Sequence, residues 1–248
     1  MVTCRLCLAE KKLIEAHLVP KCMYELDGQQ PLAIVGVKEG SRPERSQIGI
    51  YDSGILCAEC DNFLGKLDCH ACEVLVENNL QVANASDGKA IDRNGDVVCY
   101  SVDKAEPEQM AKFVLSVFWR CHHSDRKEAS RVDLGPHEAL VREVLLGSVS
   151  IFETPYTVHI EYNSDFQMVM ILGRNRQEGI NLNTFYSKKF GFHLKTDQKP
   201  HEEHFRLLCL EKERPVFAMN IKKLQTRFGR LVALGMKKNF SKFGTPWK

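Results

Sequence analysis

Apolar positions at helical spacing mark the middle of the chain. The stretch 105–124, AEPEQMAKFVLSVFWRCHHS, opens with acids and Pro107 ahead of an apolar face, which predicts a helix. GPHEALVREVLLG at 135–147 predicts a second helix, with Pro136 near its start and Gly147 at its end. A helix is also expected from near Cys60 to about Asn78. From Ile151 the pattern changes. YTVHIEYN, FQMVMILG and HFRLLCLEK are rich in β-branched and aromatic residues and predict strands, and VFAMN predicts another. An apolar run at 32–37 followed by a Gly/Pro/Ser stretch predicts a strand and a mobile loop. Alternation at 97–102 predicts a strand at the domain edge. A helix from about Asn220 to Met236, apolar at Ile221, Leu224, Phe228 and Leu231, closes the chain.

Composition adds limits. With 248 residues, 44% hydrophobic and 27% charged, the chain has the proportions of a globular protein with room for one large or two small cores. No apolar run reaches the roughly 18–20 residues that span a bilayer. The N-terminus has no basic segment followed by an apolar one. A soluble, cytoplasmic protein without a membrane span is expected. The net charge of +2 conceals an asymmetry, because Asn220–Lys248 holds eight Lys or Arg and no acid. A basic tail on a mildly acidic body suits a polyanionic partner.

Ten cysteines change the picture more. In a reducing compartment clustered thiols more often hold metal than form disulfides. Cys4-x-x-Cys7 and Cys57-x-x-Cys60 each predict a tight knuckle presenting two sulfurs on one side. Together they complete a tetrahedral thiolate site, closed to water and therefore structural, of the kind that binds Zn²⁺. Cys69 and Cys72 lie at i, i+3 on the expected helix. A local four-thiolate site with Cys57 and Cys60 is the alternative, but a pair within one helix converges poorly with a neighbouring knuckle, and core or surface thiols are expected there. Cys22, Cys99, Cys121 and Cys209 are expected as small buried hydrophobes.

With the knuckles placed, the order is C-x-x-C, HLVPK at 17–21, GILCAEC at 54–60, then a helix. This resembles the HNH, or ββα-metal, endonucleases. It is more closely similar to an uncharacterised group of bacterial HNH-like zinc proteins, whose LSxxWR and LGPH segments appear here as LSVFWR at 115–120 and LGPHEALVREVLLG at 134–147. The resemblance covers about residues 1–150. It implies that His17 is the general base, an imidazole titrating near neutrality. It implies a catalytic Mg²⁺ or Mn²⁺ beside it. Asp52 aligns with the residue that orients the base, and Asp61 with a ligand of the catalytic cation. The family's other ligand position is occupied by Ala16, with Glu15 beside it as a substitute, and Asp68 lies two helical turns beyond Asp61.

The expected architecture is α+β, with a zinc-knuckle ββα-metal-like module over 1–100, a helical segment over 101–150 and a C-terminal region over 151–248. That region is expected to hold a small sheet and the basic terminal helix. Two readings follow: a metal-dependent endonuclease hydrolysing DNA phosphodiesters, in defence or a mobile element, or a catalytically degenerate zinc protein that binds nucleic acid or a protein partner. Lys222, Lys223, Arg227, Arg230, Lys237 and Lys238 would meet phosphates, and Phe240, Phe243 and Trp247 could stack on unpaired bases. His122 and His123 are expected to complement a helix dipole, Trp119 to be core, and Arg120 to pair with an acid or a phosphate. HEEH at 201–204 lacks the i, i+4 spacing of a metalloprotease and predicts a solvated turn. No phosphate-binding glycine loop, nucleophile elbow or dinucleotide fingerprint is present.

Overall fold

The computed structural model describes residues 2–24, 33–34, 44–45, 49–76, 80–82, 99–163, 168–177, 180–200 and 209–220. HEEH at 201–204 and the expected basic helix, with Lys222, Lys223, Arg227, Arg230, Lys237 and Lys238, lie outside the described residues.

The fold is α+β. Helices α1 (Ala58–Val76), α2 (Pro107–His122) and α3 (Glu138–Leu146) form one layer. α2 is central. Its side chains from Met110 to Cys121 are buried all round, Lys112 excepted, including Ser116 and Arg120 of its polar stripe. Its start uses Pro107, whose missing N–H costs nothing there. α3 ends at Gly147 in the left-handed conformation (φ 83°), which closes the last carbonyls. No helix among the described residues is long and apolar enough to cross a membrane.

Among the described residues thirteen strands, short and long, run in chain order. β1 (Val2–Thr3) and β2 (Glu10–Lys11) form a hairpin around the first knuckle. β3 (Ala16–His17) pairs with β6 (Tyr51–Asp52). The remainder are β4 (Ala33–Ile34), β5 (Glu44–Arg45), β7 (Leu80–Val82), β8 (Cys99–Val102), β9 (Thr157–Tyr162), β10 (Met168–Gln177), β11 (Ile180–Lys188), β12 (Phe190–Lys195) and β13 (Phe217–Asn220). They form one mixed nine-stranded sheet in the order β5-β4-β10-β11-β12-β9-β13-β8-β7. The sheet is thus larger than the small C-terminal one expected, and the first hundred residues supply both of its edges.

α2 packs on the sheet through aromatic rings. Phe113 meets Phe192 edge-on at 5.6 Å, Phe118 meets Phe185 at 5.3 Å, and Phe185 stacks on Phe192 at 4.5 Å. Because side chains alternate along a strand, this fixes the faces. Phe185, Phe192 and Leu194 turn to the helices, and Thr184, Tyr186 and His193 to the opposite side. One contiguous core runs from Cys4 to Ala218.

Two cysteine expectations are corrected. Cys22 and Cys72 form a disulfide that ties the short 3₁₀ turn Lys21–Met23 to α1. Cys22 is therefore not an isolated hydrophobe, nor Cys72 a free thiol. No local spacing could pair them, since they lie 50 residues apart in sequence. Closing a loop of that length constrains the unfolded chain. Reduction of this bond, or Cys72→Ser, is expected to cost about 2–4 kcal/mol. A urea titration with and without reductant checks this, and non-reducing peptide mapping should recover the Cys22–Cys72 cross-link.

Candidate metal centre and ββα unit

The first knuckle is built by the hairpin. The Leu8 N–H donates to the Cys4 carbonyl at 2.9 Å, and Leu8 takes a left-handed conformation (φ 60°) that turns the chain back. The second knuckle ends at the start of α1, where the Asp61 N–H donates to the Cys57 carbonyl at 2.9 Å. Cys60 then sits in the first turn of the helix, whose positive end favours thiolates. The sulfurs of Cys4, Cys7, Cys57 and Cys60 all lie within 4.8 Å of one another. A tetrahedral site with Zn–S of about 2.3 Å would place them ~3.8 Å apart, inside that limit.

The electrostatics fit a cation. The Cys57 N–H donates to Cys4 Sγ at 3.4 Å. Burial alone would raise the Cys4 thiol, but the amides of Cys7, Cys57 and Leu6 outweigh it and bring the group down to about 7. Cys60 goes the other way, pushed up by burial and by its bonds to Cys57, Cys7 and Cys4. Four sulfurs this close cannot all ionise without a positive ion among them. These four residues can therefore hold a structural metal ion.

The knuckles frame a ββα unit. The Leu13–Leu18 segment runs antiparallel to Ile50–Cys57. Its contacts are the Leu13–Cys57 bridge, Ile14 N–H to the Leu56 carbonyl, the β3–β6 pair, and Leu18 N–H to the Ile50 carbonyl. α1 follows directly. His17 and Asp61 are both half-buried, and the Asp61 carboxyl feels the charge of His17. Burial pushes the Asp61 carboxyl up and Asp68 adds to it, while Arg120 and His17 pull it down.

Asp52 lies opposite Ala16 in the β3–β6 register, not opposite His17. Its Oδ1 accepts from the Gly54 N–H and its Oδ2 from the Ser124 hydroxyl, both at 2.7 Å. Ala16 is fully buried and Glu15 exposed. Asp68 is gripped by Arg120 through two bonds of 2.8 and 2.9 Å. Arg120 also donates to the His17 carbonyl at 2.9 Å and to Ser116. LSVFWR thus has a physical task, because its arginine, 1% exposed, ties α1 and α2 to the strand that carries His17. Trp119 is core, as expected, and its indole donates to Glu138 at 2.8 Å. His123 lies 3.0 Å from the same carboxylate, and burial lowers its pKa. Its contact therefore joins α2 to α3.

One cluster had no counterpart in the motifs above. His159 and Glu161 on β9 and His193 on β12 bring their ligand atoms within 4.8 Å of one another. A strand carrying His-x-Glu puts both side chains on one face, a signal present in YTVHIEYN. The partner histidine lies in β12, which sequence patterning did not find.

Comparison of the chain with protein-family models, curated proteins and solved structures finds no match in any of the three.

Proposed function

We propose that the chain is an HNH-like, metal-dependent nuclease whose structural ion is Zn²⁺. The observation that carries this reading is the order of parts in the ββα unit: a thiolate knuckle, an antiparallel pair bearing His17, and a helix whose first turn offers Asp61. His17 takes the proton from the attacking water. Asp61 offers a carboxylate to Mg²⁺ or Mn²⁺, which needs only one or two such ligands when substrate phosphate supplies others. The cation, when bound, stabilises charge on the phosphate and the leaving oxygen. Arg120 fixes the backbone of His17, and Asp52 braces the β6 turn against Ser124. DNA is the substrate this reading assigns, with the basic residues beyond Asn220 adding backbone affinity.

A second reading has its own support. Ala16 contributes no ligand, and Arg120 already satisfies Asp68. The same fold would then be a zinc-stabilised module that binds nucleic acid or a protein partner without cleaving. Plasmid nicking with Mg²⁺ or Mn²⁺ separates the two. His17→Ala is expected to lower the rate on the order of 10²–10⁴-fold while the zinc content is unchanged. Equal inertness of both folded, zinc-loaded proteins would favour the binding module. Its affinity for duplex DNA should then fall with salt with a log–log slope of about −0.9 per phosphate neutralised. Absent or salt-insensitive binding would leave a protein as the partner.

A further inference from the structure

We propose that His159, Glu161 and His193 form a second metal site, which takes a divalent first-row transition cation of the zinc class. It lies on the face of the sheet opposite the helices, and it is independent of the nuclease reading. Two imidazoles and a carboxylate are borderline ligands suited to such ions. Two neutral histidines with one carboxylate carry a single negative charge, complementary to a dication.

The sheet builds the site by register. His193 stands directly across from His159, and their rings stack at 4.4 Å, only 7° from parallel. Glu161 is two residues along β9 from His159, on the same face. Its direct cross-strand partner is Gly191. A side chain there would crowd both neighbours, since a Cβ would stand 3.2 Å from Glu161 Oε2 and 2.6 Å from the Tyr186 ring. The glycine leaves the Glu161 carboxylate room to reach diagonally towards His193.

The buried polar atoms then point to a cation. His193 is 1% exposed, and its Nδ1 lies 3.0 Å from the Thr184 hydroxyl. The Asn175 amide donates to the same hydroxyl at 2.9 Å. His193 Nε2 lies 3.0 Å from Glu161 Oε2 but makes no hydrogen bond. In the neutral tautomer that donates Nδ1–H to Thr184, Nε2 turns its lone pair toward the Glu161 carboxylate, an arrangement that a cation held by both atoms stabilises. Metal-bound histidines have this pattern, one nitrogen on the ion and the other bonded to an outer partner. Among the described residues these three ligands fill three of the four positions of a tetrahedral zinc-class site.

Co²⁺ alone, added to full-length protein preloaded with one equivalent of Zn²⁺ per chain, tests the site. Elemental analysis after desalting should find two ions per chain. X-ray absorption at the cobalt edge should show nitrogen and oxygen neighbours with imidazole scattering and no sulfur. Glu161→Gln and His193→Gln should each leave one ion per chain, the cysteine-bound one, whose retention reports that the variant has folded. Thr184→Val should weaken Co²⁺ binding roughly 10–100-fold. One ion per chain in the wild type, a cobalt shell without imidazole, or two ions retained in both folded ligand variants would each overturn the proposal.

Discussion

Cys7→Ser is expected to damage the protein as severely as Cys57→Ser, with loss of one metal ion and collapse of the ββα unit. The two cysteines differ in packing: Cys57 is buried and bridged to Leu13, whereas Cys7 is exposed. If the four thiols were ordinary side chains, replacing the exposed one would change stability by no more than about 0.5 kcal/mol. If they share an ion, each is one quarter of its coordination. Structural zinc sites supply on the order of 10–16 kcal/mol of apparent folding energy in small peptides, against a net domain stability of about 5–15 kcal/mol. Even a fraction of the first figure exceeds what the surrounding contacts can replace. Metal analysis with thermal and urea unfolding provides the measurement. A Cys7→Ser protein that melts with the wild type and keeps its ion would rule out the shared-ion site.

Arg120→Met is expected to destabilise the fold by about 3–5 kcal/mol, through the carboxylate it leaves behind. The Asp68 side chain is 15% exposed, so water reaches it in part, and the lower end of that range applies. The His17 carbonyl and the Ser116 groups lose donors in the same change. Adding Asp68→Leu to Arg120→Met should recover much of the loss, because the pair then goes together and no charge is stranded. Arg120→Lys is not a conservative test, since an ammonium cannot reproduce the two-pronged grip on Asp68. Urea unfolding of the single and double variants provides the readout. If the double variant is less stable than Arg120→Met alone, the stranded-charge explanation fails.

The sequence was most legible where structure is local. The Pro107 start of α2 and the Gly147 end of α3 each depend on a few neighbouring residues and appear where spacing placed them, and the two C-x-x-C pairs bring Cys4, Cys7, Cys57 and Cys60 into one cluster. YTVHIEYN, FQMVMILG and VFAMN supply β9, β10 and β13. β11 and β12 were missed. INLNTF and GFHLK mix glycine, asparagine and histidine into strands, a pattern that reads as turn until the sheet buries both faces. That Arg120 pairs with an acid was expected and is found, but its choice of Asp68, like the Cys22–Cys72 bond, was beyond reach for another reason. Each joins residues 50 or more positions apart, and no periodicity encodes the meeting. The cluster at His159 combined both difficulties, one visible half on β9 and one hidden half on β12.

The sheet order also bears on how the chain is made. β4 pairs with β10, and β8 pairs with β13. Segments translated early therefore wait for strands that leave the ribosome much later. The thiolate knuckles, complete once Cys60 has emerged, can close first around their ion, while the sheet edges on either side stay unpaired. Such long-range closure slows folding and exposes strand edges during synthesis. Metal capture would then act as an early anchor in vectorial folding, holding the leading third of the nascent chain until the central strands arrive.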